Sequence, residues 1–464
     1  MKRTLIAILC LATGLFPPLL QAQQGQGLSL AGALEYAREH SPELRNARTD
    51  VEIARKKVKE TTAIGLPQVN ASLAYNNYPN IPTQLLPDFL SPVIYSVLQN
   101  EGLVSEVPAG VNDRLFPAQF GTRHNLTAQV SASQLLFNGP YIVGLQAARA
   151  FVEFSRVQEQ HSLTSVEEAV SNAYYQALVA DRSIALLDST RASLELILNE
   201  TRIIHAQGFI EETDVDQLEL LLSDLEASVA NTRNQQVLAY RLLKFRMGMP
   251  LDQEVVLGDR LDGMLSSVEA QLLPASAFDP EGHVSFAMVR NQETLNRLDM
   301  KRYQSLYLPS LSAFYSYQKT AQRSEFDFTD PDGKWFPTEV VGLQLDIPLW
   351  SSGSRRYQVQ QARLQLDKSG VLKEQVREGL KLEAANARSG LENAWKIYRN
   401  KEKGMETARK IYERTRIRYR EGMSSSLELQ QTYNQWLQAE SDHVLSMLQL
   451  FTAKTAFDKA NRTY

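Results

Sequence analysis

Residues 308–319 read LPSLSAFYSYQK and residues 338–350 read TEVVGLQLDIPLW. In the first stretch Leu311, Ala313, Tyr315 and Tyr317 alternate with Ser310, Ser312, Phe314 and Ser316. In the second, Val341, Leu343, Leu345, Ile347 and Leu349 alternate with Gly342, Gln344, Asp346 and Pro348. Period two puts one set of side chains on each face of a strand. Two upstream stretches, 67–78 and 122–137, alternate in the same way: Val69, Ala71, Leu73 and Tyr75 in one, Leu126, Ala128, Val130 and Ala132 in the other. Each is about as long as a tilted strand needs to cross a bilayer, roughly 9–11 residues. Aromatic residues gather at their ends: Tyr75, Tyr78, Phe137, Tyr317, Trp335, Phe336 and Trp350. That placement fits an interfacial girdle. Any one stretch taken singly favours a strand of a soluble sandwich; four of matched length, behind an export signal, tip the reading toward membrane strands.

The N-terminus supports that choice. Met1-Lys2-Arg3 is a short positive region, Thr4 to Leu20 is apolar apart from Gly14 and Pro17-Pro18, and Ala22 ends a cleavage-like site. Residues 1–22 therefore read as an export signal. Cys10, the chain's one cysteine, lies mid-way through the apolar run, so the chain is expected not to be lipidated, and a disulfide framework is excluded. Of 464 residues, 49 are Lys or Arg and 53 Asp or Glu, for a net charge of −4. That balance gives no basic stripe for nucleic acid. Hydrophobic content of 43% argues against disorder. No later apolar run is long enough for a helical span, which leaves a membrane β-barrel open.

The sequence matches itself at a constant offset. Gly139 pairs with Gly353, Gln146 with Gln360, Ala148-Arg149 with Ala362-Arg363, Arg202-Ile203 with Arg416-Ile417, Gly208 with Gly422, and Asp214 with Glu428. Upstream, Leu66-Pro67 and Leu308-Pro309 match at a different offset, 242 in place of 214, so the first copy is the longer between its two strands. Two repeats follow, 23–248 and 280–464, joined by an equatorial or linker segment at 249–279. Each repeat reads helix, strand, strand, then a long helical hairpin, 140–247 in the first and 354–463 in the second. From 141 to 207 and from 355 to 421 no proline interrupts; helices of that extent measure about 100 Å. Val215, Leu218, Leu222, Leu225 and Val229 step in a coiled-coil rhythm, and Leu391, Trp395, Tyr398 and Met405 share a seam that Glu402 interrupts. Residues 76–121, rich in proline, read as a long loop.

Four strands cannot close a barrel in lipid, where unpaired edge amides are costly. Three chains supply twelve strands; two or four chains also satisfy the requirement.

The export signal, the duplicated strand-pair and hairpin unit, Ser41-Pro42-Glu43-Leu44 before an Ala/Arg-rich helix, Leu308-Pro309-Ser310-Leu311, Gly208…Asp214-Val215 and Tyr419…Gly422…Glu428-Leu429 together resemble the TolC family of outer membrane efflux proteins. The resemblance implies an α+β membrane protein. It would be a homotrimer whose twelve-stranded transmembrane barrel, four strands per chain, continues into a long α-helical periplasmic barrel. It implies an exit duct in the bacterial outer membrane for small molecules or polypeptides. The duct would receive them from an inner-membrane RND or ABC-type transporter through a periplasmic adaptor, a membrane fusion protein. Outer membrane lipids are the further implied partner; no catalysis, cofactor, metal or nucleic acid is implied. The alternative is a soluble periplasmic coiled-coil adaptor or scaffold, which would not need bilayer-length strands with aromatic ends.

The resemblance also places the turns Gln207–Asp214 and Glu421–Glu428 at the periplasmic tip. Glu428 is the first candidate for a gate carboxylate, with Asp214 and Tyr419 beside it. Gln431 stands where the family usually has a second acid, so the ring of carboxylates is expected to be single. Tyr419 is expected to bond Asp214, while Ser424 stands at the family's arginine position, so the charged half of that contact is either missing or supplied by Arg418 or Arg420. Gly208 and Gly422, with Phe209, Met423 and Ser424, are expected to form turns that dock the adaptor. A glycine helix stop followed by an acid in the next helix's first turn is also ordinary capping.

Overall fold

The structure is a computed structural model that describes residues 27–106, 110, 115–271 and 278–462. The expected export signal, 1–22, lies outside the described residues. The chain divides into two compact units that cut across the sequence halves: residues 50–156 with 288–374, and residues 1–49 with 157–287 and 375–464.

The first of these units contains a four-stranded antiparallel sheet of β1 (Gln68–Asn77), β4 (His124–Asn138), β5 (Ser310–Arg323) and β6 (Phe336–Asp346), in the order β1-β4-β5-β6. β1 and β6 are its edges. Cross-strand register keeps the two sets of side chains on opposite faces. One row runs Val69, Ala132, Tyr315, Val341, and the next row on the same face Ala71, Val130, Tyr317, Glu339. The reverse face carries Asn70, Ser131, Ser316, Val340 and then Ser72, Gln129, Gln318, Thr338. Hydrogen bonds tie the polar face, as from Gln129 Nε2 to Ser316 Oγ (2.9 Å). The apolar face is bare: Leu73 is 71% and Val341 80% exposed. Burying such side chains stabilises by about 1.5–3 kcal/mol each, a gain this face does not make within one chain. A bulge between Leu135 and Phe137 shifts the register where β4 ends. β6 stops at Asp346, short of the expected 350, because Pro348 has no N–H for the ladder.

The expected loop 76–121 is not irregular throughout. It holds a second, two-stranded sheet, β2 (Thr83–Pro87) with β3 (Leu115–Gln119), and a helix, α3 (Leu90–Asn100). The described residues thus contain six strands, four of them in the larger sheet. Apolar pairs such as Leu85-Leu86 supply the extra strands, and Asp88 Oδ1 accepts from Ser91 N–H (2.9 Å) at the start of α3.

The other unit is helical, and four of the helices, those over 42–64, 139–206, 284–305 and 354–420, have residues in both units. α1 (Leu30–His40) begins at Ser29, whose hydroxyl accepts from Gly32 N–H (3.1 Å). Pro42, which favours a first helical position, opens α2 (Pro42–Ile64). α4 (Gly139–Ala206) and α8 (Ser354–Arg420) are the long helices, of 68 and 67 residues. α5 (Glu212–Met247) and α9 (Ser426–Ala460) return from them; α6 (Leu261–Gln271) and α7 (Val284–Ser305) complete the order. The α5 stripe buries Val215, Leu218, Leu221, Leu225 and Val229. Leu221 takes the fully buried place expected for Leu222, which packs at its flank. On α8, Leu391 and Tyr398 are buried, and the interrupting Glu402 accepts from Tyr398 Oη (2.9 Å). Near residue 250 the core gathers Tyr174, Tyr175, Leu243, Met247, Leu450 and Phe451. Leu28 pairs with Leu257 in a parallel bridge beside it, and the single proton of Tyr174 Oη lies between two acceptors, Leu28 O at 2.7 Å and Asp259 Oδ2 at 2.9 Å.

Candidate site at the helical turns

Both long helices end the same way, for a reason visible in two backbone angles. Gly208 has φ +82° and Gly422 φ +73°, a left-handed conformation that side chains with a Cβ adopt at a cost of roughly 1–2 kcal/mol. Gly208 N–H donates to His205 O (2.8 Å) and Phe209 N–H to Ile204 O (3.2 Å). Gly422 N–H donates to Tyr419 O (3.0 Å) and Met423 N–H to Arg418 O (2.8 Å). Each pair is a Schellman closure, which uses up carbonyls the helix end would leave bare. α9 then starts from Ser425, whose hydroxyl accepts from Glu428 N–H (3.2 Å). α5 starts at Glu212 with Asp214 in its first turn, where a carboxylate complements the helix dipole.

The closures leave apolar side chains outside. Phe209 is 78% and Met423 59% exposed, with Ile203, Ile417 and Leu427 also exposed. Beneath the turns lies a core of Leu194, Ile197, Leu198, Leu218 and Leu429 with Tyr412 and Tyr433. Trp436 stacks on Tyr412 with ring centroids 5.1 Å apart. The turns are thus fixed from below.

The expected residues converge, but with different partners. Tyr419 Oη and Thr201 Oγ1 lie 3.1 Å apart. Ser426, buried on the first turn of α9, donates to Asp214, and its Oγ stands 3.2 Å from Gln217 Oε1. The expected Tyr419–Asp214 bond is therefore replaced by two bonds. Thr201 presents a hydroxyl to the tyrosine, and Ser426 approaches the carboxylate. Burial raises the Tyr419 phenol above its ordinary pKa; the Thr201 bond opposes that shift and the Asp214 carboxylate adds to it.

The arginines behave likewise. Arg420 forks onto Glu200, Nη2 to Oε1 at 2.8 Å and Nε to Oε2 at 3.0 Å. Arg418 donates to Met423 O (3.2 Å) and stands 3.5 Å from Glu428 Oε1. Each therefore meets an acid other than Asp214. Ser424 Oγ donates to Glu428 Oε2 (2.5 Å), so the residue at the arginine position closes its own turn. Gln431 is exposed on α9 beyond Glu428. Glu200, Thr201, Gln217 and Ser426 were not singled out by the sequence. Hydroxyl and amide partners brought together across helices leave no spacing signal.

Residues 33–249 and 294–460 match the family described as outer membrane efflux protein. The chain is 27% identical over 297 residues to the alkaline protease secretion protein AprF of Pseudomonas aeruginosa, covering 62% of this chain and 59% of that one. It is 24% identical over 199 residues to the proteases secretion protein PrtF of Dickeya chrysanthemi, covering 42% of each. The matches thus span about half the length of these curated relatives. The crystal structure of the open state of the MtrE outer membrane channel of Neisseria gonorrhoeae shares the fold. Its TM-score is 0.67 at 17% identity, over 94% of this chain and 89% of that one.

Proposed function

This chain belongs to the outer membrane efflux protein family, and from that premise we propose that it is an outer membrane exit duct for polypeptides. The observation that carries the proposal is the four-stranded sheet with one bare apolar face, one polar face and two open edges, β1 and β6. In lipid an open edge leaves unpaired amides that cost several kcal/mol each, so the edges must meet other strands. Identical copies supply them: three chains close a twelve-stranded barrel with the apolar face toward lipid and the polar face toward water. The helical hairpins carry the duct into the periplasm. Their turns, with exposed Phe209 and Met423, dock a periplasmic adaptor that links the duct to an inner-membrane transporter of the ABC or RND type. Glu428 and Asp214 are the carboxylates of the gate. The names of the curated relatives favour protein cargo over small molecules.

Conductance tests this directly. The purified protein added to a planar bilayer should give discrete, uniform current steps. A protein that stays in solution and gives none contradicts the proposal.

A further inference from the structure

Through its five central rows the polar face of the sheet carries no charge; Asp346, paired with Ser310 two rows beyond Gly342, is the one acid on that face. From the row Gln68, Ser133, Phe314, Gly342 to the row Asn76, Asn125, Gln322, the side chains are amides, hydroxyls or uncharged apolar groups. Charged residues make up 22% of the chain, so a face of this size drawn at random would hold several. Of the other charges on these strands, Lys319 and Glu339 share the apolar face and Arg323 ends β5, while Asp346 closes the polar face at the end of β6. For one bulky ring of this face the neighbouring strand makes room. Phe314 lies over Gly342, where an added Cβ would stand 2.7 Å from the ring. The helical turns are the reverse, crowded with Asp214, Glu428, Arg418 and Arg420.

We infer that this uncharged wall is a specificity device: the barrel lets an extended polypeptide bearing both signs of charge pass without holding it. Discrimination by charge is left to the helical turns. The inference rests on the barrel reading above. In a closed trimer a single wall charge appears three times at one height, and low-dielectric walls focus its field. Passage requires binding weak enough to leave. A charged ring of either sign would hold the opposite charges of the cargo and repel the like ones, so neutrality is the one wall that serves mixed cargo.

Gln318 tests this, because it sits mid-wall between Gln129 and Thr338. The full-length channel in a planar bilayer is compared as wild type, Gln318→Lys, Gln318→Glu and Gln318→Asn. The probe is a synthetic peptide of alternating Lys and Glu blocks, added from the barrel side. Reversal potentials in a KCl gradient should shift in opposite directions for Lys and Glu. Peptide blockades should lengthen about fivefold in both charged variants, the effect of one added ion pair at about 4 Å in water, and should be unchanged in Gln318→Asn. Unshifted reversal potentials would refute the barrel reading and this inference with it. Shifted potentials with blockades no longer than wild type would refute the inference alone.

Discussion

Ser426→Ala should loosen both helical turns at once. The substitution removes a hydroxyl that is 4% exposed and donates across to Asp214 on the other hairpin. A hydrogen bond to a charged acceptor contributes about 1.5–3 kcal/mol. Asp214 is half-buried, so water can partly replace the serine and the lower end applies. About 1.4 kcal/mol is tenfold in an equilibrium. Tyr419→Phe breaks a neutral bond to Thr201 instead, for about 0.5–1.5 kcal/mol. Arg420→Ala breaks an exposed pair with Glu200, for about 1 kcal/mol or less. The assay is hydrogen exchange of the detergent-solubilised protein, read at 208–214 and 422–428. Ser426→Ala should speed exchange about tenfold at both turns, in line with that 1.4 kcal/mol, and Tyr419→Phe less. The reasoning is refuted if only 422–428 responds, or if Tyr419→Phe has the larger effect.

Three further outcomes are expected. Gly342→Ala should push the Phe314 ring off the wall, at about 1–3 kcal/mol of overpacking. Single-channel conductance should then fall, and Phe314→Ala in the same chain should restore it. Tyr174→Phe should cost about 1.5–3 kcal/mol, because its hydroxyl serves both Leu28 O and the Asp259 carboxylate; faster exchange at 28–33 and a lower unfolding midpoint would register it. His283 gives a pH dependence. Burial lowers its pKa, opposed by a bond to Lys459 O and by Glu383, and Nδ1 accepts from Ser285 N–H (3.2 Å). The unfolded chain takes up that proton near the ordinary histidine value of about 6.5, before the folded chain does. The stability is therefore present above that pH and lost as pH falls through it. The unfolding midpoint should drop between pH 7.5 and 5.5, and drop less in His283→Asn.

The strands were legible because their signal is local. Leu311, Ala313, Tyr315 and Tyr317 fall on one face whatever else the chain does, and β5 runs through all of them. The long helices were legible because no proline lies beyond their first turn, and their ends because Gly208 and Gly422 suit the left-handed turn. Segment 76–121 reads as a loop because its prolines outweigh two short apolar pairs. The helical turns were legible in position but not in pairing. Tyr419 and Asp214 do come close, yet which hydroxyl faces which carboxylate depends on how helices far apart in sequence rotate against each other. Ser426 at the start of α9 reads only as one more serine in a capping run, so its contact with Asp214 had no trace in the sequence.

Electron microscopy of the purified, detergent-solubilised protein tests the central claim most directly. The account predicts a threefold particle with twelve strands inside the detergent belt, β1 of each chain paired with β6 of its neighbour. A water-soluble particle without a belt, or a sheet whose β1 and β6 edges stay open, would contradict it.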